Sequence, residues 1–182
     1  MITTTLSRIR ACDPCASGWS KLLAGLGKTT ADDELLPYAD ILRINGPEDA
    51  VWACQAEPQH AREWRLFAVW CARQVQHLMF DPTLIAAIDV AERYAHGQAT
   101  AAQLSAARGN AWVAKGLVSK GAAEIAAAWG AAWVATGDAH QAAAETASAL
   151  IAAGYAEGDA IGEAESRDAA AVEFLRLVGG DA

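Results

Sequence analysis

Nowhere in these 182 residues does an uninterrupted apolar run approach the roughly 20 needed to cross a bilayer as a helix. The opening stretch MITTTLSRIRAC also lacks the apolar core of a secretory signal, so the expectation is a cytoplasmic protein with no membrane partner. Cations are scarce: 14 lysines and arginines stand against 22 aspartates and glutamates, a formal net charge of −8. A chain of that sign does not draw phosphate backbones to itself. Direct nucleic-acid binding is therefore disfavoured, and a basic protein surface, including one that itself holds nucleic acid, becomes the expected partner. Cysteines number four, and without an export signal they are read as thiols rather than a disulfide framework.

What is present is helix-forming and apolar. Hydrophobic residues make up 53% and charged residues 20%, which excludes wholesale disorder, and the length suffices for a core without staples. Alanine outweighs the β-branched residues, favouring helix over strand. The expectation is an all-α, compact multi-helix bundle in one domain, 1–182: short helices over 1–57, a central helix pair over 58–97, and alanine-rich helices with an acidic tail over 98–182.

The central pair is the most strongly patterned part. With Trp64 at zero on a helical wheel, Phe67, Ala68, Cys71, Val75, Leu78 and Met79 fall within about 60° of it, a core stripe. Leu66 and Trp70 lie off the stripe, and Arg62, Arg65, Arg73 and Gln76 gather in a third sector. Asp81 and Pro82 suit an N-cap and a first turn, so one helix ends near Met79 and the next begins at once, with Leu84, Ile88, Ala91 and Ala95 inward and Gly97 as its stop. Upstream, Pro14 opens a helix through Trp19, Leu22, Leu23 and Leu26; Tyr38, Ile41 and Leu42 suit a second; Pro47 starts a third reaching Ala56. Downstream, Thr100 caps a helix burying Leu104, Ala107, Ala111 and Ala114, with a break expected at Lys120-Gly121. Ile125, Trp129 and Trp133 share one side of the next helix, where the tryptophans are expected to fill the core. Ala139 to Ala153 form a helix ending at Gly154. Gly162 to Val178 form the last, with Val172, Leu175 and Val178 inward before a frayed end at 179–182.

Patterns that carry chemistry are incomplete. Cys12-Asp-Pro-Cys15 has the spacing of a zinc half-site or redox pair, but no βα unit surrounds it and no second close pair completes a metal set. Gly25-Leu-Gly-Lys-Thr29 ends like a phosphate loop, yet Leu22 stands where that pattern needs glycine. His60, His77, His96 and His140 enter no metal or catalytic motif. The reading is therefore a non-enzymatic protein with no cofactor and no metal. A zinc- or thiol-dependent regulator using Cys12 and Cys15 is the alternative.

Function then falls to surfaces. Residues 98–156 hold only three basic and three acidic groups, so they are either wrapped by the rest of the chain or present an apolar face. Residues 157–182 hold two basic and seven acidic groups. Of the seven tryptophans, Trp70 and Trp112 sit off their helices' main stripes, the expected position of interface anchors. The partner-binding set read from the chain is Trp70, Trp112, Arg62, Arg65 and Arg73, with the acidic Glu157, Asp159, Glu163 and Glu165. A second copy of the chain, joined through the alanine-rich helices, is a further candidate partner.

The segments Ser7 to Cys15, Gly27-Lys-Thr29, Asn45-Gly46, Glu63 to Met79 and Asp89 to Arg93 resemble a set of small phage and prophage proteins that end in long alanine-rich helices. The resemblance covers residues 1–108 and is compositional beyond them. Residues 64–97 also resemble the Imm-5-like family of immunity proteins. Neither resemblance implies a catalytic residue. The first implies an inhibitor acting on a bacterial protein inside the host cell, most concretely an anti-CRISPR or other counter-defence protein; the second implies neutralisation of a toxin.

Overall fold

A computed structural model describes residues 1–118 and 121–179, and within them the chain is an all-α bundle. The short N-terminal helices are α1 (Leu6–Ala11), α2 (Ala16–Gly25), α3 (Tyr38–Asn45) and α4 (Pro47–Trp52). The central pair is α5 (Ala61–Gln74) and α6 (Pro82–Ala95), and the alanine-rich helices are α7 (Ala101–Gly116), α8 (Ala122–Val134) and α9 (Ala139–Val178). Two residue pairs, β1 (Thr3–Thr4) and β2 (Leu36–Pro37), form a small antiparallel ladder. No helix among the described residues is long and apolar enough to cross a membrane.

The helix starts follow local chemistry. Asp81 accepts from the Thr83 N–H at 2.8 Å with Pro82 in the first turn of α6. Thr100 and Gln103 close a reciprocal capping box on α7. Asp138 caps α9 through the N–H groups of His140 and Gln141. Gly97, at φ +71°, reverses the chain after α6. The first central helix is shorter than its apolar pattern: Pro58–His60 and Gln76–Leu78 are 3₁₀ turns, and α5 lies between them. Of the break expected at Lys120-Gly121, Lys120 falls outside the described residues and Gly121 is the N-cap of α8; of the frayed end expected at 179–182, Gly179 is the C-cap of α9 and 180–182 fall outside.

The two last helices expected, Ala139 to Ala153 and Gly162 to Val178, are both present, each longer than expected, as the parts of α9. These are two limbs, residues 139–157 and 160–178, reversed on each other where Gly158 and Asp159 leave helical geometry, Asp159 at φ +54°. The second limb delivers Phe174 into an aromatic cluster with Tyr38, Trp64 and Phe67. Ring centroids are 6.0, 6.1 and 5.3 Å from Phe174. Ala170, Phe174 and Val178 form its buried stripe, and Val172, expected inside, is 58% exposed. Phenylalanine buries more apolar area than valine, so the limb rotates to place the ring inward. The stripe expected from Trp64 to Met79 is buried at Trp64, Phe67, Ala68 and Cys71 of α5 and at Val75 and Met79 beyond its end, while Leu78, expected inside, is half-buried in the 3₁₀ turn.

A buried carboxylate ties the N-terminal helices to this core. Glu57, fully buried, accepts from Arg8 Nη1 at 2.6 Å and from Gln59 Nε2, while its backbone carbonyl accepts from Trp64 Nε1 at 3.0 Å. Burial pushes this carboxyl up, but the hydrogen bonds from Arg8 and Gln59 with the Arg8 charge outweigh it, and the net shift is downward from 4.5. A carboxyl held lower in the fold than in the unfolded chain stabilises the fold fully above the unfolded value and loses that contribution as pH falls through the folded one. Glu57→Gln is therefore expected to lower the thermal midpoint at neutral pH. Its deficit against wild type should shrink as pH falls below 4.5, measured by circular dichroism across an acid series.

Candidate partner-binding surface

The surface is built by what cannot fit between α8 and α9. On α8, Ala123, Ala127, Ala128, Ala131 and Ala132 are buried, and a Cβ on Gly130 would stand 3.2 Å from Ala149 Cβ of α9. Helices that approach this closely leave room only for small side chains. The large residues of α8, Ile125, Trp129 and Trp133 at i, i+4 and i+8, are displaced to the side shared with α7 and solvent. The expectation that the tryptophans fill the core is corrected accordingly: Trp129 is 40% exposed and Trp133 half-buried.

There they meet Trp112 of α7. Its ring stands edge-on to Trp129 and to Trp133, both at 5.4 Å between centroids and near-perpendicular. Lys115, one turn on, places Nζ 3.2 Å from the Trp129 centroid and 4.2 Å from that of Trp112, a cation held over two ring faces. Burial lowers the Lys115 pKa. Val113 on the same helix and Leu117 at its C-cap are 68% and 76% exposed. The result is an edge-to-face aromatic cluster with one cation against its rings, on a helix pair that carries exposed aliphatic groups.

Other residues of the expected set lie apart from this cluster and from one another. Trp70 is half-buried and stacks on Phe67 at 6.5 Å. Arg62 is exposed and contacts Glu63 at 3.3 Å. Arg73 clamps α5 to α6 through Gln76, Asp89 and Glu92 at 2.6, 2.7 and 2.6 Å, so its donors are already engaged. Arg65 corrects the outward reading of its sector. It is 2% exposed, donates to the carbonyls of Val134 and Gly137 at 2.9 and 3.0 Å, and lies 5.3 Å from the Tyr94 ring centre. It belongs to the C-terminus of α8, where the helix dipole and uncapped carbonyls favour a cation.

The acidic set sits on the hairpin of α9. Glu157 is exposed beside His77, Oε1 to Nε2 3.6 Å, which joins two groups distant in sequence. Asp159 occupies the turn, Glu165 is exposed, and Glu163 is half-buried and pairs with Arg167 at 2.9 Å, which also reaches Glu48 of α4 at 2.7 Å. Cys12 is the C-cap of α1 and Cys15 the N-cap of α2, where Cys15 Sγ accepts from the Gly18 N–H at 3.3 Å. Hydrogen bonds from Ser17 and Gly18 lower its pKa. Cys54 and Cys71 are buried, their thiols pushed up by burial, and among the described residues no group of three or more His, Cys, Asp or Glu is placed to hold a metal.

Lys115, Trp129 and Trp133 were not foreseen as surface residues, although the i, i+4, i+8 spacing on α8 marked a face. Comparison with known proteins returns no matching family model, no similar curated protein and no similar solved structure.

Proposed function

We propose that this chain is a non-enzymatic inhibitor encoded by a phage or mobile element, which acts by binding a bacterial protein, most concretely as an anti-CRISPR or other counter-defence protein. The observation that carries the binding reading is the Trp112–Trp129–Trp133 cluster around Lys115. Large aromatics that already pack on one another have less freedom to lose on docking than isolated side chains, and tryptophans are prominent among residues that dominate interface energies. The resemblance of residues 1–108 to phage proteins supports the biological class. The excess of acidic groups, with Glu157, Asp159 and Glu165 exposed on the α9 hairpin, supports a target with a basic surface.

Affinity capture from bacterial lysate with wild type and variants tests this. A multi-subunit effector complex as prey supports counter-defence; a nuclease or toxin as prey supports the immunity reading instead. Trp129→Ala combined with Trp112→Ala is expected to weaken the captured complex at least about 30-fold, roughly 2 kcal/mol, with the helical spectrum retained. Equal binding by the double variant removes the aromatic cluster from the interface.

A further inference from the structure

A second concavity lies between the N-terminal helices, on elements that contribute nothing to the tryptophan cluster. The end of α1 with α2, α3 and α4 encloses a cavity of about 290 Å³. Its walls are Ile9, Trp19, Leu22, Ile41 and Trp52, an apolar slot with two half-buried indoles. Such volume is at the small end of ligand cavities and suits a single ring with a short arm.

The polar end of the slot has one sign of hydrogen-bonding character. Asn45 Nδ2 donates to Gly18 O at 2.8 Å and to Asp49 Oδ2 at 2.7 Å. Both partners are acceptors, which fixes the amide orientation, and Asn45 Oδ1 is left buried with no partner. Beside it stand the Asp49 carboxylate, which forms no ion pair among the described residues, and Cys15 Sγ, already accepting from Gly18 N–H. A carboxylate lining an apolar slot without a cation is stabilised by a ligand that brings one. Glu48, at the same mouth, has its charge taken by Arg167. Asp49 is thus the carboxylate with charge to offer.

We infer that this cavity binds a small amphipathic amine, its ring or branched apolar group between Trp19 and Trp52 and its ammonium directed to the Asp49 carboxylate. The inference is independent of the proposed inhibitor role, since a scaffold with an intact tryptophan surface keeps this slot whether or not a protein partner is found.

The probe is phenethylamine, compared with 3-phenylpropionate, which has a similar apolar part and the opposite charge. Binding to the full chain is measured by calorimetry, and by the rate at which iodoacetamide alkylates Cys15 at the cavity mouth. The amine is expected to bind at least about tenfold tighter than the acid and to slow Cys15 alkylation, and Asp49→Asn is expected to weaken the amine about tenfold without changing the helical spectrum. The wild-type comparison stands even if the variant misfolds. Equal binding of amine and acid, amine affinity unchanged in a folded Asp49→Asn, or no binding of the amine at millimolar concentration each overturns the inference.

Discussion

Gly162→Val is expected to lower the thermal midpoint by about 5–10 °C, while Gly109→Ala raises it by about 2–4 °C. Both glycines lie inside helices and both carry the same intrinsic helix penalty, so propensity alone predicts a gain at each. Their surroundings differ. A side chain at Gly162 would run into the backbone carbonyl of Gly154, and one at Gly154 would meet Ser166 Oγ and, at 2.5 Å, the carbonyl oxygen of Gly162. These contacts join the two limbs of α9 across the Gly158-Asp159 reversal, and the obstacle is main chain on both sides, which cannot turn away as a side chain would. Relief requires the limbs to separate, and separation withdraws Phe174 from the Tyr38–Trp64–Phe67 cluster. At Gly109 nothing lies within 4 Å of an added Cβ, so only the backbone entropy term remains. Thermal scans of the two variants beside wild type check the opposite signs. A neutral Gly162→Val would mean that the limbs do not touch.

This pair also marks where sequence reading succeeded and where it stopped. Helix starts were legible because capping is local: Asp81-Pro82, Thr100 with Gln103, and Asp138 each carry their whole signal within four residues. The stripe from Trp64 to Met79 was legible for a similar reason, since periodicity reports which side of a helix is buried. Glycine was ambiguous. Gly154 and Gly162 read as helix ends, whereas they are the points of closest approach, and the reversal falls between them; a missing side chain serves both purposes. Nor does periodicity say what covers a face. Ile125, Trp129 and Trp133 were recognised as one side of α8, but their placement was decided by the opposite, alanine side, which α9 occupies. The cavity polar end could not be read at all, because Gly18, Asn45 and Asp49 belong to three elements brought together by tertiary packing.

Arg65 is the other position where a helical wheel points one way and the fold another, and its removal has the second large expected effect. Arg65→Met should lower the midpoint by about 6–12 °C, corresponding to roughly 3 kcal/mol. Methionine keeps an apolar stem beside Tyr94 but donates no hydrogen bond, so the carbonyls of Val134 and Gly137 lose their charged donors at 2.9 and 3.0 Å. Arg65→Lys should recover only part of the loss, because one ammonium lacks the planar fork that reaches two carbonyls on either side of a helix end. The pH profile separates this site from Glu57. Burial lowers the Arg65 pKa from its ordinary value, so the fold holds this proton less tightly than the unfolded chain does, and that cost is relieved only in strongly alkaline solution. Across about pH 5 to 9 the guanidinium is charged in both states, and the gap between wild type and Arg65→Met should stay constant, unlike the Glu57→Gln gap, which closes in acid. A gap that varied with pH in that window would show that a titrating partner, rather than two neutral carbonyls at the end of α8, holds Arg65 in place.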